Sequence, residues 1–468
     1  MLFNSIIFTV FLPIVFILYW ITPPKYRNYF LLLASYYFYY SYNPWFLLLL
    51  IGTSAVDYFL ARKISLTENK KRKKMFLVLS LASNLGVLFI FKYFVFFYNS
   101  SVEVFNINSK LLNNFIIPAG LSFYTFQSLS YTIDIYRGKY KADDRFSDFL
   151  LFVSFFPHMV AGPIVRYNDL MPQFKIITYF KNINWQSFAT LVIWGYFKKL
   201  VIADNLNLIV TPVFNDVMAF SGFELLLAGF LFVIQVYCDF SGYSDIATGV
   251  AKLFNINLTL NWRRPLFSKS LHEFWKRNHI SITTWFRDYL YIGLGGSRVG
   301  YNRWLLNMFL VFVISGFWHG ANFTFVIWGT LHGLFYILEI LLMKKFPDIK
   351  IPAVLGRLYL LGFHTLTLIA FRANDVTDLS YIYKHIFSFS NWNYSLSTLL
   401  NYQDRFYFFV IFIAILVLFF KELNEEYAII NKYKNVYSFL KPLVYIGFVV
   451  LIFILGNFSA NTFIYFQF

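Results

Sequence analysis

The sequence predicts an all-α polytopic membrane protein, a bundle of about 11–13 transmembrane helices with re-entrant or amphipathic helices around a central cavity. Three observations carry this. Of 468 residues, 59% are hydrophobic and only 13% are charged, about half the charged share of an ordinary soluble domain. Apolar runs recur along the whole chain, separated by short basic loops. One polar stretch, 260–303, interrupts that rhythm without resembling a soluble domain. So few charges leave too little polar surface to coat a globule of this size, and the solvent for most of the surface is lipid.

Taken in order, the first apolar run covers 3–21. No basic residue precedes it and no small-x-small cleavage site follows it, so it reads as a spanning helix rather than a cleaved leader. Further candidate spans lie near 29–41, 45–61, 75–98, 115–136, 148–165, 186–213, 223–255, 303–318, 322–343, 354–371, 405–420 and 442–457. Several fall short of the roughly 20 apolar residues that a spanning helix needs. Lys25 and Arg27 follow the first span, and Arg62 to Lys74 follow the third. Arg137, Lys139, Lys141 and Arg145 return to the same side, whereas Asn99 to Asn114 carries one lysine and one glutamate. Basic loops lie inside, which puts the N-terminus outside. The basic stretch Lys421 to Lys441 is then cytoplasmic, and the last span places the tail, 458–468, outside as well. With no repeat, linker or soluble insert, 1–468 reads as a single membrane domain.

The net charge of +17 does not indicate nucleic acid. Its basic residues sit in loops, where topology determinants and contacts to anionic lipids belong. Lys70-Lys71-Arg72-Lys73-Lys74 reads as a cytoplasmic anchor beside its flanking helices. The single cysteine, Cys238, excludes an intrachain disulfide and reads as a small buried side chain.

Within 260–303, His272, Lys276, His279, Thr283 and Arg287 recur every three or four residues, with Phe274, Ile282 and Phe286 on the other face. This pattern predicts an amphipathic helix at the interface or re-entering the bundle. Polar backbone at that depth is tolerated where it lines protein or a watery cavity. Just beyond, His319 stands in an apolar setting among Ser315, Gly316, Gly320 and Ala321. An ionisable group there is costly and marks a candidate functional site. The small residues allow helices and substrate to approach it. On chemistry alone, a neutral core histidine with one hydrogen bond fits equally well.

Other site types fail on spacing. His272-Glu273 with His279 is not His-Glu-x-x-His, and no cysteine cluster assists, so zinc is not indicated. Gly293, Gly295, Gly296 and Gly300 do not match a dinucleotide-binding glycine motif. Arg263, Arg264, Lys276, Arg277, Arg287 and Arg298 suit either an anionic ligand or lipid headgroups. Asp239 and Asp245 flank an expected Ser241-Gly-Tyr-Ser turn in an otherwise apolar span and read as cavity-lining or helix-pinning groups.

Several segments together resemble a known family. They are Cys238-Asp-Phe-Ser-Gly-Tyr-Ser-Asp-Ile-Ala, the block from Glu273 to Ile292, and Ser315-Gly-Phe-Trp-His-Gly-Ala-Asn. Val160-Ala-Gly-Pro-Ile-Val-Arg and the N-terminal Met-Leu-Phe-Asn-Ser add to them. The chain resembles the membrane-bound O-acyltransferase (MBOAT) family, most of all its bacterial alginate and peptidoglycan O-acetylation subunits, over nearly its full length. The resemblance implies transfer of an acyl group from a cytoplasmic thioester donor, across the bilayer, to a hydroxyl. It implies O-acetylation of an exported cell-envelope polysaccharide at a bacterial inner membrane. Acetyl-coenzyme A or an acyl carrier protein is the implied donor substrate, with no bound cofactor. A periplasmic or extracellular acetyltransferase of SGNH type is the implied partner. Two central histidines map onto His319 and His279, which are 40 residues apart. His319 is expected to be the general base, with His279 orienting the donor or the developing oxyanion. Arg277, Lys276, Arg287, Asp288, Asp239, Ser241, Asp245, Trp318 and Asn322 are the expected donor-binding or cavity-lining residues.

The chain ends Phe463-Ile-Tyr465-Phe-Gln-Phe468. Similar endings in envelope-acylation systems of this family suggest Tyr465 as an acyl carrier, although an aromatic interfacial anchor fits the same residues. Two other activities fit a polytopic chain. D-alanyl transfer to teichoic acid is the family's other envelope branch. A transporter or channel would need paired broken helices or a repeated filter motif, and neither is present.

Overall fold

The computed structural model describes residues 1–105, 117–160, 162–348, 351–389, 392, 405–428 and 434–458. Among these residues every regular element is helical, and they group into two compact units. The first comprises Met1–Val192 with Ser244–Leu260, and the second Ile193–Tyr243 with Asn261–Phe468.

The first unit begins with α1 (Ile6–Ile21), α2 (Arg27–Tyr40), α3 (Pro44–Leu66), α4 (Lys70–Leu88) and α5 (Phe94–Phe105). It continues with α6 (Leu121–Tyr136), α7 (Phe146–Ser154), α8 (Phe156–Met159), α9 (Tyr167–Phe174) and most of α10 (Trp185–Tyr196). A buried carboxylate ties three of them together. Asp57 of α3 accepts hydrogen bonds from Ser80 (2.6 Å) and Asn84 (2.7 and 2.8 Å) of α4, and from Ser128 of α6. A buried charge is tolerable only when saturated in this way. Gly120 starts α6 at φ 73°, and a Cβ there would lie 2.6 Å from the Met159 carbonyl oxygen, so a side chain is excluded. The segment Ser244–Leu260 is fastened by Trp20, whose indole N–H donates to the Leu253 carbonyl at 3.2 Å.

The second unit contains α11 (Asp204–Asn215), α12 (Gly222–Lys252, as far as Tyr243), α13 (Leu271–Arg277) and α14 (Ile280–Trp285). It also holds α15 (Tyr301–His319), α16 (Phe323–Lys345), α17 (Ala353–Arg372), α18 (Val376–Phe387), α19 (Arg405–Tyr427) and α20 (Lys434–Leu455). A π-helical stretch, Phe197–Ala203, precedes α11 and carries two buried lysines. Lys199 lies 2.8 Å from Asp204 and 2.6 Å from Asp239, and Lys198 donates to the Ser241 hydroxyl at 2.9 Å. Residues 241–244 continue the helix α12 instead of forming the turn expected there. Gly242 lets this helix approach Gly195, since a Cβ would lie 2.8 Å from the Gly195 carbonyl oxygen. Cys238, on the same helix, is fully buried.

Six helices among the described residues are long and apolar enough to cross a bilayer: Pro44–Leu66, Lys70–Val102, Gly222–Lys252, Phe323–Lys345, Ala353–Arg372 and Tyr407–Tyr427. Ile6–Ile21 and Leu440–Leu455 are shorter apolar helices. Two other apolar windows of the sequence form interior helices. The 115–136 window becomes α6, buried on nearly every side. The 148–165 window becomes two short buried helices, with Pro157 at the start of the second. Hydropathy registers apolar surroundings and does not distinguish lipid from protein.

Candidate active site

The site is assembled around α13, which is held at both ends. The Ser270 hydroxyl caps its start, accepting from the Glu273 N–H at 3.1 Å. Glu339 of α16 accepts from the N–H groups of Leu271 (2.8 Å) and His272 (3.1 Å). Leu271 and Phe274 pack with Leu360 and Phe363 of α17, and Trp275 and Tyr336 close over them. At the other end Arg277 pairs with Glu273 (2.6 Å) and Glu426 (2.9 Å).

The helix stops at Asn278, and His279 turns the chain with φ 45°, a conformation uncommon outside glycine. Asn261 braces the turn: its carbonyl accepts from the Ile280 N–H at 2.8 Å and its side-chain oxygen from the Ser281 N–H at 3.0 Å. The chain then runs through α14 into a π-helical stretch, Phe286–Tyr291. The region 260–303 is therefore not one continuous amphipathic helix. The left-handed turn at His279 divides it and seats the imidazole beside Trp262 (5.5 Å between ring centroids) and Phe240 (6.1 Å).

His319 closes α15, at the point where α15 meets α16. The two helices cross in contact at Gly316 and Gly329. A Cβ on Gly316 would lie 2.3 Å from the Phe325 carbonyl oxygen, and one on Gly329 would lie 2.5 Å from that of Phe312. The approach predicted from the small residues around His319 is present at Gly316. The imidazole of His319 is surrounded by Trp318 (4.8 Å), Trp328 (5.2 Å) and Phe371 (5.3 Å).

His279 and His319 line one cavity of about 870 Å³ in the second unit, within the range usual for ligand sites. Its wall on α16 is Trp328, His332, Tyr336, Glu339, Ile340 and Met343. Fifteen residues separate the first from the last, so at 1.5 Å per residue the cavity follows about 22 Å of helix. Trp304, Met308, Phe312, Ser315 and His319 form the facing strip on α15. Lys276 and Arg287 line the cavity at exposed positions. His272, also on the wall, has its Nδ1 2.9 Å from the Tyr336 hydroxyl. Burial and the neighbouring Lys276 charge hold this imidazole below its usual pKa.

The remaining expected site residues are engaged elsewhere. Asp239 is paired with Lys199, and Ser241 accepts from Lys198. Asp245 belongs to the first unit. Trp318 packs on His319 without lining the cavity. Asn322 caps α16, accepting from the Thr324 N–H at 3.2 Å and donating to the Asn374 carbonyl at 2.7 Å. Asp288 pairs with Arg287 at 2.8 Å. Arg264 joins Arg277 on Glu426, at 2.9 Å. Tyr465 lies outside the described residues.

Sequence reasoning missed His332 and His364, both on the cavity wall. A signal for the first was present. Trp328, His332, Tyr336 and Met343 recur at intervals of four, four and seven, which places them on one face of a helix. His364 stands alone in an apolar run and carries no such mark.

The comparisons agree with this architecture. The family model described as MBOAT, membrane-bound O-acyltransferase family, matches residues 38–381. The chain is 36% identical over 404 residues to the probable alginate O-acetylase AlgI of Pseudomonas aeruginosa, covering 84% of this chain and 76% of that protein. It is 34% identical over 415 residues to the peptidoglycan O-acetyltransferase of Helicobacter pylori, covering 80% and 78%. To the teichoic acid D-alanyltransferase of Streptococcus thermophilus it is 27% identical over 254 residues, covering 51% and 59%. The chain belongs to the membrane-bound O-acyltransferase family and is a multi-pass membrane acyltransferase.

Proposed function

We propose that this protein takes an acetyl group from a cytoplasmic thioester donor and delivers it across the membrane for O-acetylation of an exported cell-envelope polysaccharide. The observation that carries the reading is the single cavity in which His279 and His319, 40 residues apart in sequence, share one wall system. A hydroxyl is a poor nucleophile at neutral pH, and an imidazole that takes its proton during attack accelerates transfer by about 10²–10⁴-fold. In this scheme His319 removes the acceptor hydroxyl proton as the oxygen attacks the thioester carbonyl. The C–S bond then breaks and the thiol leaves with a proton. His279, fixed by its turn, orients the donor carbonyl or stabilises the developing oxyanion. The long cavity suits an extended donor arm, with Lys276 and Arg287 placed for an anionic end.

Acetyl-coenzyme A is the donor in this reading, with an acyl carrier protein as the other candidate. Relatives named for O-acetylation cover 80–84% of the chain, against about half for the D-alanyltransferase, which favours acetyl over D-alanyl transfer. Tyr465 is proposed to take the acetyl group on the outer side, since the phenolate of an aryl ester is a good leaving group for onward transfer. An SGNH-type acetyltransferase would complete the delivery.

Incubating the purified protein in detergent with acetyl-labelled acetyl-coenzyme A tests this. Label should appear on the wild type, fall by at least about 100-fold in His319→Ala, and be lost in Tyr465→Phe. Label retained in His319→Ala excludes that residue as the base. Label retained in Tyr465→Phe excludes the carrier role.

A further inference from the structure

Two residues with a Cβ take a left-handed backbone beside the cavity, Arg264 at φ 48° and His279 at φ 45°. They belong to segments that lie side by side. The Arg263 N–H donates to the Arg277 carbonyl at 2.9 Å, and the Ile280 N–H to the Asn261 carbonyl at 2.8 Å. A left-handed conformation is unfavourable outside glycine and persists where the surroundings over-determine it. Asn261 supplies that hold on the Ile280 side of the His279 turn. On the other side the two segments carry Arg264 and Arg277, guanidinium groups of like charge that push the segments apart if nothing balances them.

Glu426 of α19 balances them. Its Oε2 accepts from Nε of Arg264 at 2.9 Å, and its Oε1 from Nη1 of Arg277, also at 2.9 Å. One carboxylate therefore joins both segments, one oxygen to each. The three side chains are only 16–23% exposed, which protects the pairing from the screening that weakens surface ion pairs. Four residues earlier on the same face of α19, the buried Glu422 accepts from the Tyr237 hydroxyl. The Tyr237 ring lies 6.0 Å from Trp262, and Trp262 lies 5.5 Å from His279. The helix thus reaches the turn twice, yet none of Glu422, Glu426, Arg264 and Arg277 lines the cavity.

We propose that Glu426 is a positioning residue for His279: by bridging Arg264 and Arg277 it holds the left-handed turn that presents the imidazole to the cavity. The effect on rate rests on the acyl-transfer reading, and the effect on the turn does not. Displacing a contact by about 1 Å costs on the order of 100-fold in rate, so a helix outside the cavity sets how well His279 works.

Two measurements on the purified full-length protein test this. Backbone hydrogen exchange needs no turnover. Glu426→Gln keeps the side-chain volume and removes the charge that balances both arginines. It should speed exchange of the Ile280 and Ser281 amides by at least about 10-fold, with amides of α15 around Gly316 changed by less than about 2-fold. Arg264→Gln removes one arm of the bridge and should raise exchange at the same two amides, which serves if Glu426→Gln does not fold. Unchanged exchange at Ile280 and Ser281, or an equal rise in α15, overturns the proposal.

The second measurement is the rate of labelling by acetyl-labelled acetyl-coenzyme A. Glu426→Gln should lower the rate at saturating donor by at least about 10-fold, with the half-saturating concentration within about 3-fold. Glu425→Gln is the control: this side chain is 42% exposed and 3.5 Å from Arg264, and its loss should change the rate by less than about 2-fold. In a His279→Ala background, Glu426→Gln should cost no more than about 2-fold further, because its effect passes through the missing imidazole. Losses that multiply in full overturn the proposal. A wild type that takes no label counts against the acyl-transfer reading alone, and the exchange measurement then decides the role of Glu426.

Discussion

At the scale of residues, ion pairing, and not burial, separates Asp239 from the buried histidines that line the cavity. Asp239 stood beside His279 and His319 among the expected site residues, yet its carboxylate is 2.6 Å from Lys199 and sealed from the cavity. Removing one member of a buried pair typically costs about 3–5 kcal/mol. Asp239→Ala should therefore lower the thermal midpoint sharply, while the protein that remains folded keeps kcat/KM within about 3-fold. A raised KM at unchanged melting temperature would instead make Asp239 a donor contact. His319→Ala should give the reverse pattern, near-normal melting with transfer lost. The sequence held a direct signal for His319, because an ionisable group among small and apolar residues is conspicuous. It held none for His364, since one histidine in an apolar helix has no local partner that reveals which way it faces.

At the scale of elements, placement of the histidines depends on two backbone features. One is the crossing of α15 and α16 at Gly316 and Gly329, where any Cβ meets a carbonyl oxygen at 2.3–2.5 Å. Gly316→Ala should push the helices apart, lower both the melting temperature and the transfer rate, and displace His319. Gly362→Ala in α17 is the control: no atom lies within 4 Å of its Cβ position, and alanine there should be neutral or stabilising by about 0.5–1 kcal/mol. If both variants behave alike, the crossing does not position His319. The other feature is the left-handed turn at His279. Periodicity in the sequence reads side-chain spacing over 260–303 and does not register one residue leaving helical φ. That is why two short helices appeared where one was expected.

At the scale of the whole molecule, the membrane class was legible because it is an average over all 468 residues and no single segment can overturn it. The count of spans was less legible. A run such as 148–165 has the hydropathy of a span and the burial of a core, since the hydrophobic effect acts alike on both. Sidedness is an expectation from the basic loops, which assigns Arg62 to Lys74 to the cytoplasm and Asn99 to Asn114 to the outside. In intact cells, an impermeant thiol reagent should fail to label Lys71→Cys until the membrane is opened, and should label Asn99→Cys directly. The opposite pattern reverses the orientation. For such work the sealed position of Cys238 is an asset. Its thiol is 0% exposed, and no other cysteine exists in the chain. The natural protein should stay dark to a maleimide dye until it unfolds, which makes it its own blank. Each engineered thiol then reports one address without the background mutations that a cysteine-rich transmembrane enzyme demands.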